Sequence, residues 1–191
     1  MMHSPYPVVL DACVLYPAIL RDLLMHLGLA GLYQPKWSEV IHDEWRRNLL
    51  LQRSDINPEA LARTTDLMNL ALPDANVTGF ETLIEGISLP DPDDRHVLAV
   101  AIRSNADVIV TLNLKDFPSG VLAGFGIEAL HPDDFISDLF DLNHSVALNA
   151  VRLQRNALKN PPMATEEFLE MLLKQGLPMT VKALRNYQFM I

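Results

Sequence analysis

Short apolar runs alternate with longer segments of helical spacing along the first two-thirds of the chain. The run 7–10 ends directly at Asp11, and the run 107–111 reads Asp-Val-Ile-Val-Thr; both are typical of strands buried in a parallel sheet. Between them, apolar residues recur at helical spacing from Pro17 to Leu29, which predicts a helix. A strand followed by helices and a second buried strand predicts an α/β fold with parallel strands.

Local capping signals mark the other predicted helices. Ser38 precedes a segment with apolar residues through Leu49, and Asn57 and Asp91 each stand before a proline, a combination that begins helices. The full prediction has strands at 7–10, 33–37, 107–111 and 127–130 and helices at 17–29, 38–49, 57–72 and 91–104. The pattern over 73–89 is mixed and assigns no element.

From His131 onward the pattern is helical only, with breaks at Pro161-Pro162 and at Gly176-Leu177-Pro178. We therefore predict one domain over residues 1–130 and a C-terminal helical extension over residues 131–191.

The net charge of the 191-residue chain is −9, and it is unevenly distributed. Residues 1–130 contain 9 basic and 17 acidic residues, whereas residues 131–191 contain 6 and 7. Bulk acidity lowers the nonspecific affinity of a protein for nucleic acid, but a cation site needs carboxylates. The charge is therefore compatible with a metal-dependent enzyme that acts on a nucleic acid.

Membrane and export signals are missing from the sequence. No apolar run approaches the roughly 20 residues that span a bilayer, and no basic segment with a long apolar stretch begins the chain. Cys13 is the only cysteine, which excludes an internal disulfide and a cysteine metal cluster. We expect a cytoplasmic protein without a membrane segment.

Polar side chains follow the two clearest strands. Asp11 comes directly after the first, and Thr111, Asn113 and Asp116 end or follow the second. Ligands of parallel α/β sheets bind outside the carboxyl ends of strands, so these side chains should lie together. As the alternative, Asp11 caps the next turn, and Asn113 and Asp116 are ordinary turn residues.

Two more carboxylates lean toward apolar helix faces. Glu44 shares a face with Val40 and Ile41, while its acidic neighbours Glu39 and Asp43 align with arginines on a wetter face. Asp94 shares the inward stripe of its helix, whereas Asp91 is explained as a cap. The alternatives are a charged helix border at Glu44 and acidic residues that favour a helix dipole at Asp94.

Carboxylates gathered in this number suit Mg²⁺ or Mn²⁺, which prefer oxygen ligands. Such cations lower the pKa of a bound water and stabilise charge on a phosphodiester. Without a cation the carboxylates repel one another, and some of their pKa values rise.

In order and spacing, four segments resemble the motifs of PIN domains, and most closely those of the bacterial VapC-type toxins; they read VVLDACVLYPA, SEVIHDEWRRNL, LPDPDDRHVLAVAI and DVIVTLNLKDFP. The resemblance covers about residues 6–130. It implies a three-layer α/β/α fold, dependence on Mg²⁺ or Mn²⁺, RNA as substrate, homodimerisation and inhibition by a cognate antitoxin protein.

Carried onto this chain, the resemblance gives four metal-site residues and a supporting polar pair; they are Asp11, Glu44, Asp94 and Asp116, with Thr111 and Asn113. The chain departs from the pattern at Cys13, where many PIN domains have Asn, Ser or Thr. Two rival functions stay open, a PIN fold that binds a partner without cutting and a DNA nuclease of the related flap-nuclease type.

Arg152, Arg155 and Lys159 fall on one face of a predicted helix in the extension. A solvated face is the ordinary interpretation. The alternative hypothesis is a basic stripe that contacts the RNA backbone or an acidic antitoxin segment.

Overall fold

In the computed structural model, which describes residues 5–159 and 161–191, four parallel strands form one sheet. The strands are β1 (Pro7–Leu10), β2 (Gln34–Lys36), β3 (Val108–Val110) and β4 (Glu128–Leu130), in the order β2-β1-β3-β4. The predicted α/β fold with a short parallel sheet is confirmed, and each predicted strand is present. β1 has the predicted bounds, β2 and β3 are one residue shorter at both ends, and β4 begins one residue later.

Ten α-helices surround the sheet in the described residues. They are α1 (Ala12–Leu15), α2 (Ala18–Leu29), α3 (Glu39–Gln52), α4 (Pro58–Ala71), α5 (Arg95–Arg103), α6 (Ser119–Leu122), α7 (Pro132–Leu142), α8 (His144–Ala157), α9 (Thr165–Lys174) and α10 (Pro178–Arg185). Short 3₁₀ helices cover Pro73–Ala75, Glu81–Gly86, Pro92–Asp94, Leu114–Asp116 and Ala123–Phe125.

The central strand β1 is covered on both faces. Its successive residues Val8, Val9 and Leu10 are each 0% exposed, although neighbouring side chains of a strand point to opposite faces. Helices therefore pack on both sides of the sheet, as the three-layer α/β/α arrangement requires.

Capping explains where several helices begin. The Ser38 hydroxyl accepts from the Ile41 amide at 3.3 Å, and the Asn57 side chain accepts from the Glu59 amide at 2.9 Å. The predicted helix at 91–104 is instead a 3₁₀ turn followed by α5. Asp91 accepts from the Asp93 amide at 2.9 Å, which tightens this first turn, as is common at helix N-termini.

A glycine allows α2 to approach the sheet. A β-carbon on Gly28 would lie 2.5 Å from Cγ of Pro35 in β2, which is closer than real side chains come. Gly28 lies inside α2, and the helix leaves through Gly31 at φ +76°. That left-handed conformation favours glycine.

Helices α7–α10 pack on the rest of the chain mainly through α2. The Gln154 side-chain amide on α8 donates to the Ile19 carbonyl at 2.8 Å, and both groups are buried. The ring of Phe135 on α7 meets Tyr33 edge to face with 5.0 Å between centroids. One continuous hydrophobic core includes residues of both regions.

Throughout residues 5–159 and 161–191, every helix is too short or too polar to cross a membrane.

Candidate active site

Asp11 and Thr111 meet at the carboxyl ends of two neighbouring strands. Leu10 pairs with Val110 in the sheet register, so the residues that follow them emerge side by side. The Thr111 hydroxyl donates to Asp11 Oδ2 at 2.7 Å, and Asp11 and Thr111 are only 3% and 0% exposed. Two residues 100 positions apart in sequence are thus joined where the parallel sheet was expected to place them.

The other oxygen of Asp11 accepts from the Ala12 amide at 2.7 Å and caps α1. Capping and a role in a site are therefore compatible at this residue. Burial raises the pKa of Asp11, the hydrogen bonds from Thr111 and Cys13 oppose that rise, and the charge of Glu44 adds to it.

Cys13 completes the hydrogen bonds around Asp11. Its Sγ donates to Asp11 Oδ2 at 3.1 Å, lies 3.4 Å from Thr111 Oγ1 and accepts from the Leu112 amide at 3.2 Å. Burial, and then the charge of Asp11, raise the pKa of the Cys13 thiol far above neutrality, so it remains protonated. The thiol therefore makes a contact here despite the departure from the family pattern.

The pKa of Asp94 is affected by several other carboxylates nearby. Burial, and then repulsion from Asp11, Asp91, Asp116 and Glu44 in that order, together raise its pKa to about 7. Asp94 is half-buried, whereas its neighbour Asp93 is exposed. The four acidic positions singled out in the sequence therefore act on one another through space. Asp91, interpreted only as a cap, belongs to the same group.

Glu44 has a partner that the sequence pattern did not reveal. His96 Nε2 lies 3.2 Å from Glu44 Oε2, and both side chains are largely covered. His96 Nδ1 is buried and has no hydrogen-bond partner within the described part of the chain. The one available signal was its position two residues after Asp94.

The other acidic residues of α3 behave as predicted. The Arg46 guanidinium binds Glu39 at 2.8 Å and also contacts Asp43, and both carboxylates are exposed. Glu44 is therefore the acidic residue of this helix that turns toward the site.

Asn113 and Asp116 flank the short 3₁₀ helix Leu114–Asp116. The backbone amide of Asn113 donates to Thr111 Oγ1 at 3.0 Å, which fixes the turn after β3. The Asn113 side chain lines a cleft together with Glu44 and Cys13. Asp116 is half-buried and acts on Asp94 electrostatically.

The donor set fits a hard divalent cation by its chemistry. Carboxylate oxygens of Asp11, Glu44, Asp94 and Asp116 are available, and their mutual repulsion is the condition that a cation relieves. Within residues 5–159 and 161–191, however, no group of three acidic, histidine or cysteine side chains is placed so that it could hold a metal ion. Mg²⁺ usually keeps several waters and takes only one or two protein carboxylates, so its binding would not require three of them at once.

The basic residues of α8 are partly used within the chain. Arg155 donates to the Met163 carbonyl at 2.8 Å, which ties α8 to the segment before α9. Arg152 donates to Asn149 on its own helix, also at 2.8 Å, and Arg152 and Lys159 are exposed. The hypothesis that three cations share one helix face is wrong, because α8 ends at Ala157 and Lys159 lies beyond it; the two exposed cations are Arg152 on the helix and Lys159 after it.

Comparisons with known proteins match both regions of the chain. A family model described as the PIN domain matches residues 7–115, and one described as the VapC50 C-terminal domain matches residues 132–186. A curated protein of Mycobacterium tuberculosis (strain ATCC 25618 / H37Rv), named "Putative ribonuclease VapC50", is 42% identical over 94 residues. The match covers 49% of this chain and 56% of that relative, little more than half its length. No solved structure matches significantly.

Proposed function

Since the chain belongs to the PIN-domain family, we propose that it is a divalent-metal-dependent endoribonuclease of the VapC toxin type. The observation that carries the proposal is the group of carboxylates around Asp94, whose charges add to the effect of burial and together with it raise the Asp94 pKa to about 7. The relative named as a ribonuclease supports RNA as the substrate.

Asp11, Glu44, Asp94 and Asp116 would hold Mg²⁺ or Mn²⁺ in this function. A bound cation of this kind lowers the pKa of a coordinated water and neutralises charge on the phosphodiester. The products would then carry a 5′-phosphate and a 3′-hydroxyl.

The chain's own residues would keep those carboxylates in place. Thr111 and Cys13 donate to Asp11 Oδ2 and so orient one carboxylate. His96 contacts Glu44 Oε2, and Asn113 stands at the mouth of the same cleft. One of the carboxylates would accept a proton as general base, a role that requires it to be ionised.

We further propose that residues 1–130 form the nuclease unit and residues 131–191 a helical unit, which the second family match supports. A homodimer, inhibition by a cognate antitoxin protein and a cytoplasmic location complete the proposal by resemblance to VapC-type toxins.

The direct test is cleavage of a mixed cellular RNA preparation with Mg²⁺ or Mn²⁺, with EDTA as a control. Asp94→Asn is compared with Asp93→Asn, because Asp93 is an exposed carboxylate next to it in the same turn. We expect metal-dependent cutting by the wild type and Asp93→Asn, and a loss of at least about a hundredfold in Asp94→Asn.

Each contrary result has a definite meaning. Equal cutting by all three proteins would remove Asp94 from the site. An inert, well-folded wild type would favour the rival PIN fold that binds without cutting. Preferential cutting of single-stranded DNA in the same assay would favour the rival DNA nuclease.

A further inference from the structure

A cleft of about 360 Å³ extends from Glu44 along one face of α3, and Cys13 and Asn113 also line it. Glu44, Asn48 and Gln52 follow at intervals of four residues, so they lie on the same face of this helix and all line the cleft. With a rise of about 1.5 Å per residue, the cleft reaches roughly 12 Å beyond Glu44. Tyr16, just after α1, also lines the cleft.

The far part of this cleft offers amides beside apolar surface. The Tyr16 hydroxyl donates to Gln52 Oε1 at 2.8 Å, which fixes the Gln52 side chain and leaves its NH₂ group as a donor. Asn48 is exposed and forms no side-chain hydrogen bond with any residue that the structure describes. Leu51 is 78% exposed and, with the Tyr16 ring, supplies the apolar and aromatic surface.

The charges around the cleft decide what it can accept. Its lining includes no lysine or arginine, and the cation next to its far end, Arg53, is paired with Asp55 at 2.7 Å. A phosphate in the far part would therefore find little counter-charge. Neutral amides next to an aromatic ring are instead the groups that proteins use to bind unpaired bases of single-stranded RNA, by stacking and by hydrogen bonds to the base edge. The volume lies within the usual range of small-molecule sites, roughly 300–1,000 Å³.

We propose that this cleft binds one unpaired RNA base beside the scissile phosphate, and that Asn48 and Gln52 read its edge. The inference rests on the proposed ribonuclease function and adds the residues that determine its sequence preference. The scissile phosphate lies at the Glu44 end, and the neighbouring nucleotide extends its base along α3. Tyr16 holds Gln52 in position for this contact.

The test is cleavage of an RNA library with random sequence, followed by mapping of the product ends. Asn48→Ala and Gln52→Ala are compared with the wild type and with Asn156→Ala, since Asn156 is an exposed amide on α8 outside the cleft. We expect the wild type and Asn156→Ala to prefer particular bases at one position beside the cleaved bond. In Asn48→Ala and Gln52→Ala that preference falls about tenfold, the usual effect of removing a hydrogen bond to a base.

A second measurement does not depend on cutting. Anisotropy titrations with Asp94→Asn use short oligoribonucleotides that differ at one central base, with and without Asn48→Ala in the same chain. We expect the affinity to depend on that base only when Asn48 is present. This measurement retains its meaning if the wild type fails to cleave.

The outcomes separate the inference from the proposed function. Metal-dependent cutting with a base preference that neither variant changes overturns the inference and leaves the nuclease standing. Absence of cutting together with binding that depends on the base and on Asn48 supports the base site and overturns the nuclease. Binding of the oligoribonucleotides that does not depend on the central base overturns the base site.

Discussion

Buried carboxylates have different surroundings in the C-terminal helices and in the PIN-domain region. In the C-terminal helices, Asp133 is 4% exposed, and its oxygens accept from the Met179 amide, the Thr180 amide and the Thr180 hydroxyl, each at 2.8 Å. In the PIN-domain region, Asp11 is equally buried and also accepts three hydrogen bonds, yet its pKa is raised because burial and Glu44 oppose ionisation. The carboxylate of Asp133 is satisfied by the chain, whereas the group around Asp94 is left in mutual repulsion.

This difference separates a structural from a functional use of the same side chain. Asp133 caps the first turn of α10 from a helix 46 residues earlier and so stabilises the extension. The raised pKa of Asp94 means that its ionised form opposes folding, and in the proposed function a bound cation would supply the missing favourable partner. We therefore expect substitutions in the two regions to change stability with opposite signs.

The largest effect is expected at Asp133. Asp133→Ala leaves the two buried Thr180 donors and the partly buried Met179 amide without an acceptor, so the free energy of unfolding should fall by about 3 kcal/mol. The measurement is urea denaturation followed by circular dichroism. Asp134→Ala is the matched control, since Asp134 is exposed in the same turn and should change stability by less than about 0.5 kcal/mol. Similar losses in both variants would mean that Asp133 has no special structural role.

A buried histidine extends the comparison to low pH. Burial, and then Arg46, lower the pKa of His42 to about 4, and the Trp45 indole donates to His42 Nδ1 at 3.0 Å. The unfolded chain takes up this proton near pH 6.5 and the folded protein only near pH 4, so folding stability is lost as pH falls through that window. The loss should approach about 3 kcal/mol from this group alone.

His42→Asn is the variant that checks this dependence, because its side-chain oxygen can still accept from Trp45 and it does not titrate. Urea denaturation from about pH 7 to about pH 4 should show a shallower loss of stability in the variant than in the wild type. Parallel curves for the two proteins would assign the acid sensitivity to other groups.

Much of this architecture could be predicted because its causes are local. Ser38 and Asn57 cap helices through contacts of two or three residues, and Asp11 and Thr111 meet because parallel strands end at one edge. The contact between His96 and Glu44 spans 52 residues and depends on how α3 and α5 are placed. No periodicity encodes such a placement.

The role of Asp133 was hidden for the same reason. An acidic residue in the first turn of a helix is fully explained by the helix dipole, so its sequence position gave no hint of the distant donors at Met179 and Thr180. The folded chain also brings Asp91 into the group around Asp94, where the sequence suggested only a cap. Local rules therefore predict the elements and the strand-end residues better than they predict partners from separate elements.

Cation binding should sharpen the contrast. With Mn²⁺ at about ten times its dissociation constant, the wild type should gain about 1.4 kcal/mol of stability, because the cation binds the folded site and not the unfolded chain. Asp133→Ala should gain a similar amount from its lower starting point, and Asp94→Asn should gain little. The measurement is thermal unfolding across a Mn²⁺ titration, with EDTA as the reference. An equal gain in Asp94→Asn would place the cation elsewhere.

The smallest expected change in stability is at Asp94, and its sign is the most informative. Asp94→Asn removes one charge from the repelling group without changing its shape, so in EDTA at about pH 8 the variant should be more stable than the wild type. Asp94 is half exposed, and solvent screening limits the expected gain to about 1 kcal/mol. Asp93→Asn removes a charge one position away, where the carboxylate is exposed, and should leave the urea midpoint nearly unchanged. Most substitutions destabilise a protein, so a gain in stability confined to Asp94→Asn would show that the ionised Asp94 carboxylate destabilises the folded protein.

A loss of stability would show that hydrogen bonds within the chain stabilise Asp94 as they stabilise Asp133, and the comparison between the two regions would fail.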